Sequence, residues 1–153
     1  MSQNPNQPVS LREKHGFQVG GVAMPPGKIN PPHMHFTAEV FICTKGRWDL
    51  HWGFNPDPLK AQIGAGDIAS MPTWIYRGFQ NVGDDEGFMF TALGQDDTGG
   101  ILWGPTTLAA AAANGLHLTY DYRIIDERKG EKLVPPLKAL EPMTDQEIAA
   151  LRD

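Results

Sequence analysis

The stretch that decides the fold is PPGKINPPHMHFTAEVFICTKG, residues 25–46. It holds short apolar runs set off by glycine, proline and asparagine, a spacing that favours strands over helices. In an extended chain, residues two apart project to one face, so His33 and His35 share a face and Glu39 has the same parity. Two imidazoles and a carboxylate that converge can hold one side of a divalent metal and leave positions open for a substrate.

The same strand signals continue on both sides of this stretch. Trp48, Leu50 and Trp52 alternate with polar residues, which predicts a core face for the three and leaves His51, a reserve candidate for a metal ligand, on the outer face. The predicted strands are Phe17–Met24, Ile29–Phe36, Glu39–Thr44, Trp48–Phe54, Asp67–Met71, Tyr76–Gln80 and Gly87–Ala92.

The character of the sequence changes after Gly94. Alanine-rich residues Thr107–Asn114, with Gly115 just beyond, predict a short helix, and Leu116–Ile125 reads as extended structure. A capping-box pattern predicts a second helix from Thr144. We therefore expect a flexible arm over residues 1–10, a barrel core over 11–94, and an extension over 95–153 that packs on the barrel within the same domain.

Composition limits the classes of function. The 153 residues fit one domain, and 41% hydrophobic with 20% charged residues is typical of a globular protein. The net charge is -5 and basic residues do not cluster, which argues against nucleic acid as a partner. The single cysteine, Cys43, excludes an intramolecular disulfide. No apolar run has the length of a membrane span, so we expect a cytoplasmic protein without a membrane partner.

The spacing of fixed residues resembles a known superfamily. Gly27, His33, His35, Glu39 and Gly46 stand at the intervals of the first motif of the cupins. GDIASMPTWIYRGFQN, residues 66–81, is similar to the second motif. There Gly66, Pro72 and Asn81 are in register, but Trp74 replaces the second glycine and Arg77 replaces the third histidine ligand. The resemblance spans roughly residues 19–90 and implies an all-β fold, a double-stranded β-helix (jelly-roll-like) barrel, here with short C-terminal helices.

The resemblance also implies roles for individual residues. His33, His35 and Glu39 would hold a divalent metal, with Fe(II) expected first and Mn, Ni or Zn as alternatives. If Arg77 points inward, its guanidinium can pair bidentately with Glu39 and either compete with the metal or bind an anion beside it. A slip of one residue would instead turn Arg77 outward and Tyr76 inward.

The candidate catalytic residues are thus Glu39 and Arg77. The candidate substrate-binding residues are Arg77, Tyr76, Trp48 and Phe41.

Three functions stay open at this point. The first is a metal-dependent enzyme of the small-molecule dioxygenase kind, acting on a phenolic, enolic or carboxylate substrate. The second is a sugar or small-acid isomerase, epimerase or lyase that uses His35 or Glu39 for proton transfer. The third is a metal-free barrel that binds a small molecule without catalysis. The family resemblance and exposed sheet edges also predict a homodimer.

Overall fold

The computed structural model describes residues 13–53 and 58–133. These form two compact units divided between Trp103 and Gly104. Within the described residues, the first unit contains nine strands in two antiparallel sheets. Its strands are β1 Phe17–Met24, β2 Ile29–His35, β3 Glu39–Lys45, β4 Arg47–Trp52, β5 Leu59–Gly64, β6 Ile68–Met71, β7 Arg77–Asn81, β8 Gly87–Gly94 and β9 Ile101–Trp103.

The two sheets face each other across the core. One has four strands in the order β1-β8-β3-β6, and the other has five in the order β5-β4-β7-β2-β9. Alternate residues of both sheets turn inward, as expected for strands with one buried face. The core cluster they form consists of Phe41, Cys43, Trp48, Leu50, Ile63, Met71, Phe79 and Met89. The prediction of an all-β double-stranded β-helix fold is confirmed.

The sequence analysis did not predict two of the strands, β5 and β9. β5 is an edge strand whose residues are exposed up to Ala61 and Gln62, and Ile63 is its only buried residue, so no alternation marks it. β9 has three residues and pairs with β2, from His33↔Trp103 to His35↔Ile101. A strand this short carries too few residues to show a period. The sheet that carries the two histidines is therefore wider than the sequence indicates.

The second unit, described over residues 104–133, begins with helix α1, Pro105–Ala112. The helix starts two residues before the predicted Thr107 because Pro105, whose ring presets φ, occupies its first turn. The predicted extended segment consists of two short antiparallel strands, β10 Leu116–Leu118 and β11 Ile124–Asp126. A 3-10 turn, Glu127–Lys129, follows.

Two predictions concern residues that the structure does not describe. The N-terminal arm and the helix from Thr144 lie outside the described residues, and the packing of the extension on the barrel stays a prediction. None of the helices in the described part of the chain is long and apolar enough to span a membrane.

Candidate metal centre

His33 and His35 lie near the end of β2, between β7 and β9. Their side chains share the inward face of the sheet, and their ring centroids are 5.9 Å apart. The prolines at 31 and 32 precede them where the pairing of β2 with β7 shifts its register between Asn30 and His33. Proline cannot donate to a sheet ladder and is tolerated at such irregularities. The sequence signal for a histidine pair on one strand face is confirmed.

Each histidine is held by a backbone carbonyl two residues away. Nδ1 of His33 donates to the carbonyl of Pro31 at 2.9 Å, and Nδ1 of His35 donates to that of Thr37 at 3.0 Å. In the neutral ring of His33 this contact places the lone pair on Nε2. A histidine that ligates a metal through Nε2 is oriented in this way. The ring of His35 has further partners, because Arg77 Nη2 lies 2.8 Å from its Nδ1 and Glu39 Oε2 lies 3.3 Å from its Nε2.

Glu39 reaches the histidines from the opposite sheet. It is the first residue of β3, and only residues 36–38 separate it from β2. The three side chains therefore do not share one strand face, as their spacing suggested. The short connection takes the chain from one sheet to the other, and Glu39 then turns inward from the second sheet. Glu39 is 5% exposed, and its Oε2 lies 3.3 Å from His35 Nε2.

The three side chains form one cluster of ligand atoms. One nitrogen from each histidine and one oxygen from Glu39 lie within 4.8 Å of one another. Loss of solvent lowers the pKa of His33 to about 4, and the nearby Arg77 cation acts in the same direction. His33 is therefore neutral near pH 7, the state in which imidazole binds a metal. A donor set of two imidazoles and one carboxylate fits a first-row divalent ion.

Arg77 is fully buried at the centre of this cluster. It is the partner of His33 across the β2–β7 ladder, so the predicted inward parity is confirmed and the alternative slip is excluded. The predicted bidentate pair with Glu39 is wrong: only Nε approaches Glu39 Oε2, at 3.4 Å. Nη1 donates instead to the carbonyl of Ile75 at 3.0 Å. Nη2 lies 2.6 Å from His35 Nε2 and 2.8 Å from its Nδ1, so the guanidinium must move before His35 binds a metal.

The charge of Arg77 is balanced inside the protein. Burial lowers the pKa of the guanidinium, and the Glu39 carboxylate offsets only part of this effect. Arginine stays protonated in proteins, so Arg77 remains a cation beside the ligand atoms. From this position the guanidinium can neutralise the charge of Glu39 or bind the acidic group of a ligand.

The second motif keeps the backbone turn and the buried asparagine expected of it, although Trp74 replaces its second glycine. Trp74, at the family's glycine position, has φ +63°, the left-handed conformation that glycine adopts most easily. Its ring packs on Phe36, the residue after His35, with centroids 4.7 Å apart. Asn81 is fully buried, donates to the carbonyls of Met24 and Asp85, and accepts from the amide of Gly83. The turn and the asparagine thus survive the loss of the glycine.

The other predicted substrate contacts lie in the core. Phe41 and Trp48 are fully buried, and both pack on Phe79, with ring centroids 5.5 and 5.8 Å away. Tyr76 is 6% exposed, and burial raises the pKa of its hydroxyl. Of Phe41, Trp48 and Tyr76, only Phe41 lies on the same strand face as a proposed metal ligand, since it shares the inward face of β3 with Glu39. A role of these residues in substrate binding stays a prediction.

His51 has the predicted parity but not the predicted surroundings. It lies on the face of β4 opposite Trp48 and Leu50, outside the cluster, yet it is only 6% exposed. Its ring covers the backbone of Gly78, the residue across the ladder, and leaves no room there for a Cβ. Nε2 of His51 has no hydrogen-bond partner in the described parts of the chain. His51 is thus a buried histidine of the sheet rather than a reserve ligand.

Thr91 is an interior polar residue that the sequence analysis missed. It lies on the inward face of β8, directly across the ladder from Phe41, and is 2% exposed. Its Oγ1 has no hydrogen-bond partner among the residues that the structure describes. A threonine between Met89 and Leu93 looks like an ordinary strand residue in the sequence, so no local signal distinguishes it.

Comparisons with known proteins agree with this arrangement. A family model described as Cupin domain matches residues 21–93, which include every residue of the cluster. None of the curated protein sequences compared with the chain matches it.

Solved structures share the fold. Two structures of oxalate oxidase, one in complex with glycolate, align with 26% identity and a TM-score of 0.55, over 61% of this chain and 48% of theirs. The chain spans about half the length of those oxalate oxidase chains. A protein with a double-stranded beta-helix domain from Klebsiella pneumoniae aligns with 19% identity and a TM-score of 0.54, over 67% of this chain and 89% of that one. The two packed sheets, the histidine and glutamate spacing and the family match together show that residues 21–93 have the features of a cupin domain.

Proposed function

We propose that the protein is a metal-dependent oxidoreductase of the small-molecule dioxygenase kind, acting on a carboxylate, enolic or phenolic substrate. The observation that carries the proposal is the cluster of His33, His35 and Glu39, whose ligand atoms lie within 4.8 Å of one another. His33 already presents Nε2, because its Nδ1 donates to the carbonyl of Pro31, whereas Nε2 of His35 is covered by Nη2 of Arg77. A bound Fe(II), or Mn, Ni or Zn in its place, supplies a Lewis acid with open positions for substrate.

Arg77 is the group proposed to select the substrate. It is a buried cation whose Nη2 lies 2.6 Å from His35 Nε2, and it would have to leave that position for His35 to hold a metal. A guanidinium released beside the cluster suits a carboxylate or enolate, where it stabilises negative charge in a site of low dielectric. The likeness to oxalate oxidase, one structure of which holds glycolate, supports a small acid as substrate.

Exclusion of water is the third contribution of the chain. Glu39 and Arg77 are 5% and 0% exposed, and Phe41 beside them is fully buried. Electrostatic contacts between Arg77 and an acidic substrate are stronger in such surroundings than in water. Substrate recognition would thus depend on the contact between Arg77 and the acidic group of the substrate in a buried site.

A second function is favoured by one specific observation. The guanidinium of Arg77 contacts both Glu39 and His35, as it would in a protein that uses no metal. In that case the barrel binds a small acid through Arg77 without catalysis. The isomerase, epimerase or lyase alternative has no comparable contact in its favour.

Metal analysis tests the proposal. Protein purified without chelator is expected to hold about one first-row divalent ion per chain, or to take one up when reconstituted with Fe, Mn, Ni or Zn. His33→Ala should abolish uptake, whereas His15→Ala, which removes an exposed histidine outside the cluster, should not. Failure of every metal to bind at stoichiometry would contradict the enzyme and favour the metal-free binder.

Oxygen consumption tests the reaction. Loaded protein should consume oxygen with at least one member of a panel of small carboxylates, phenols and β-diketones. His33→Ala should lose this activity and His15→Ala should keep it. A loaded protein that binds these compounds but consumes no oxygen would point to isomerase, epimerase or lyase chemistry instead.

A further inference from the structure

Two tryptophans flank the charged residues on the inward face of the five-stranded sheet. The ladders pair Trp52 with Arg77, Arg77 with His33, and His33 with Trp103. Residues directly opposite each other on antiparallel strands point to the same face, with Cβ atoms about 5 Å apart. Trp52 therefore turns inward beside the guanidinium, and Trp103 turns inward beside a proposed metal ligand. We call Trp52 and Trp103 the flanking tryptophans.

The flanking tryptophans lie at the end of the inward face that is open to solvent. Both are partly exposed, and Leu59, which pairs with Trp52 on the neighbouring strand, is 64% exposed. One step deeper on the same face, Leu50 and Phe79 are buried. Trp52 also packs against the core cluster, so its ring is fixed on one side. Solvent thus reaches the inward face at the level of the flanking tryptophans.

The opposite sheet presents apolar residues at the same level. Glu39 pairs with Leu93 on one side and with Met71 on the other, and both partners are buried. The two facing rows consist of the described residues Leu59, Trp52, Arg77, His33 and Trp103, and Gln18, Leu93, Glu39 and Met71. Arg77 is the only lysine or arginine in these rows. The site therefore offers one permanent cation among apolar and aromatic side chains.

This composition favours a ligand with one acidic group and one flat ring. The guanidinium suits a carboxylate, and this contact is strong where water is excluded. An indole ring gains from contact with another aromatic ring beyond the area that the contact buries. A second carboxylate on the ligand would lie against Leu93 or Met71 without a partner, which is unfavourable.

We propose that the ligand of this site is a monocarboxylate with an aromatic ring, whose ring lies against the flanking tryptophans and whose carboxylate binds Arg77. Neighbouring strands are about 5 Å apart, so Arg77 lies about 5 Å from the strand of Trp52 and about 10 Å from that of Trp103. One ring with its carboxylate spans distances of this order. The inference rests on the proposed function for the role of Arg77 in binding an acid, and it narrows the substrate class to aryl carboxylates.

A series of probe acids tests the preference on the wild-type protein. Isothermal titration of Zn(II)-loaded and of chelator-treated protein compares benzoate with cyclohexanecarboxylate and acetate, which keep the carboxylate but carry a puckered ring or no ring. Benzoate is expected to bind about tenfold more tightly than acetate in at least one of the two states, with cyclohexanecarboxylate between them. Equal affinities, or no binding of any probe in either state, would overturn the proposal.

Substitution of the flanking tryptophans tests what holds the ring. Trp52→Leu and Trp103→Leu keep an apolar side chain and remove the aromatic one, so benzoate affinity should fall about tenfold while acetate affinity stays the same. The matched control, Phe90→Leu, removes an exposed aromatic ring from the outward face of β8 and should change neither affinity. Trp103 is on the edge strand β9 and outside the core cluster, so its variant leaves the core intact. A benzoate preference that survives in both tryptophan variants would contradict the proposal.

Failure of this inference and failure of the proposed function give different results. Loaded protein that consumes oxygen but binds benzoate and acetate equally would keep the enzyme and reject the aryl substrate. Protein that holds no metal but prefers benzoate, and loses this preference in Trp103→Leu, would keep the aryl ligand and favour the metal-free binder.

Discussion

Nη2 of Arg77 lies 2.6 Å from Nε2 and 2.8 Å from Nδ1 of His35, so it covers both nitrogens through which His35 could bind a metal. A permanent cation and a divalent ion therefore compete for one lone pair. The competition has no counterpart in a cupin with histidine at position 77, because a neutral imidazole adds a ligand where the guanidinium adds a charge. The strength of metal binding is thus set by Arg77 as well as by the three ligands.

Arg77→His should raise metal affinity. The variant removes the cation and supplies the imidazole that the second cupin motif carries at this position, so the dissociation constant for Mn(II) should fall about tenfold or more, about 1.4 kcal/mol. Isothermal titration of chelator-treated protein measures the change. Arg123→His, at an exposed arginine of the second unit, serves as the control. An unchanged affinity would show that the guanidinium does not oppose the metal.

Thr91→Val should stabilise the protein. Valine keeps the shape of threonine and removes a buried hydroxyl that has no partner in the described chain, so the free energy of unfolding should rise by about 1 kcal/mol. Thr37→Val is the matched control, since Thr37 is equally buried but its Oγ1 lies 3.0 Å from His35 Nδ1. That variant should lose stability. Urea denaturation of metal-free protein compares the two, and a loss of stability in Thr91→Val would mean that its hydroxyl has a partner.

Trp74→Gly should be more stable than Trp74→Ala by about 1 kcal/mol. Both variants lose the contact with Phe36, and they differ only by a Cβ at a residue with φ +63°. At Trp52, within strand β4, the order should reverse, because glycine weakens a strand. Thermal unfolding of the four variants measures both differences. Equal stability of the two Trp74 variants would show that the left-handed turn carries no strain.

His51 should make stability fall in mild acid. Burial lowers the pKa of His51, with a further contribution from Lys60, while Asp49 acts in the opposite direction. As the pH falls below about 6.5, the unfolded chain takes up this proton first, so the folded state loses stability until its own His51 titrates. The effect of one proton is at most about 1.4 kcal/mol per pH unit.

His51→Gln removes this proton uptake and keeps a polar side chain of similar reach. Its unfolding free energy, measured in urea with chelator present between pH 7 and pH 5, should depend less steeply on pH than that of wild type. Contributions from the other histidines are common to both proteins, so the difference reports His51 alone. Parallel curves would contradict the assignment.

The sequence was sufficient for the fold and for the identity of the cluster, because its strands alternate clearly and the ligand residues stand at fixed intervals. It placed Arg77 inward through the register of Asn81, and both positions are confirmed. It could not show that Glu39 approaches from the opposite sheet, since spacing alone does not locate a crossing between sheets. It also could not show that Arg77 directs one N–H group to Glu39 and another to the carbonyl of Ile75, because the position of that carbonyl is not evident from the sequence.

Burial was harder to predict than parity. His51 occupies the predicted face of β4, but sequence alternation does not reveal that this face is covered there. The burial of the Thr91 hydroxyl without a partner could not be predicted either, because it depends on which side chains surround it in the core. The strand β5 was missed because four exposed residues precede its single buried residue, Ile63, so its sequence shows no alternation.

The three-residue connection 36–38 joins the two sheets at the point where the cluster forms. The two histidines of the cluster belong to one sheet and the glutamate to the other, so an ion bound by all three would cross-link the two sheets. Separation of the sheets and release of the ion would then be a single event. The rate of proteolysis and the rate of ion exchange should consequently rise and fall together.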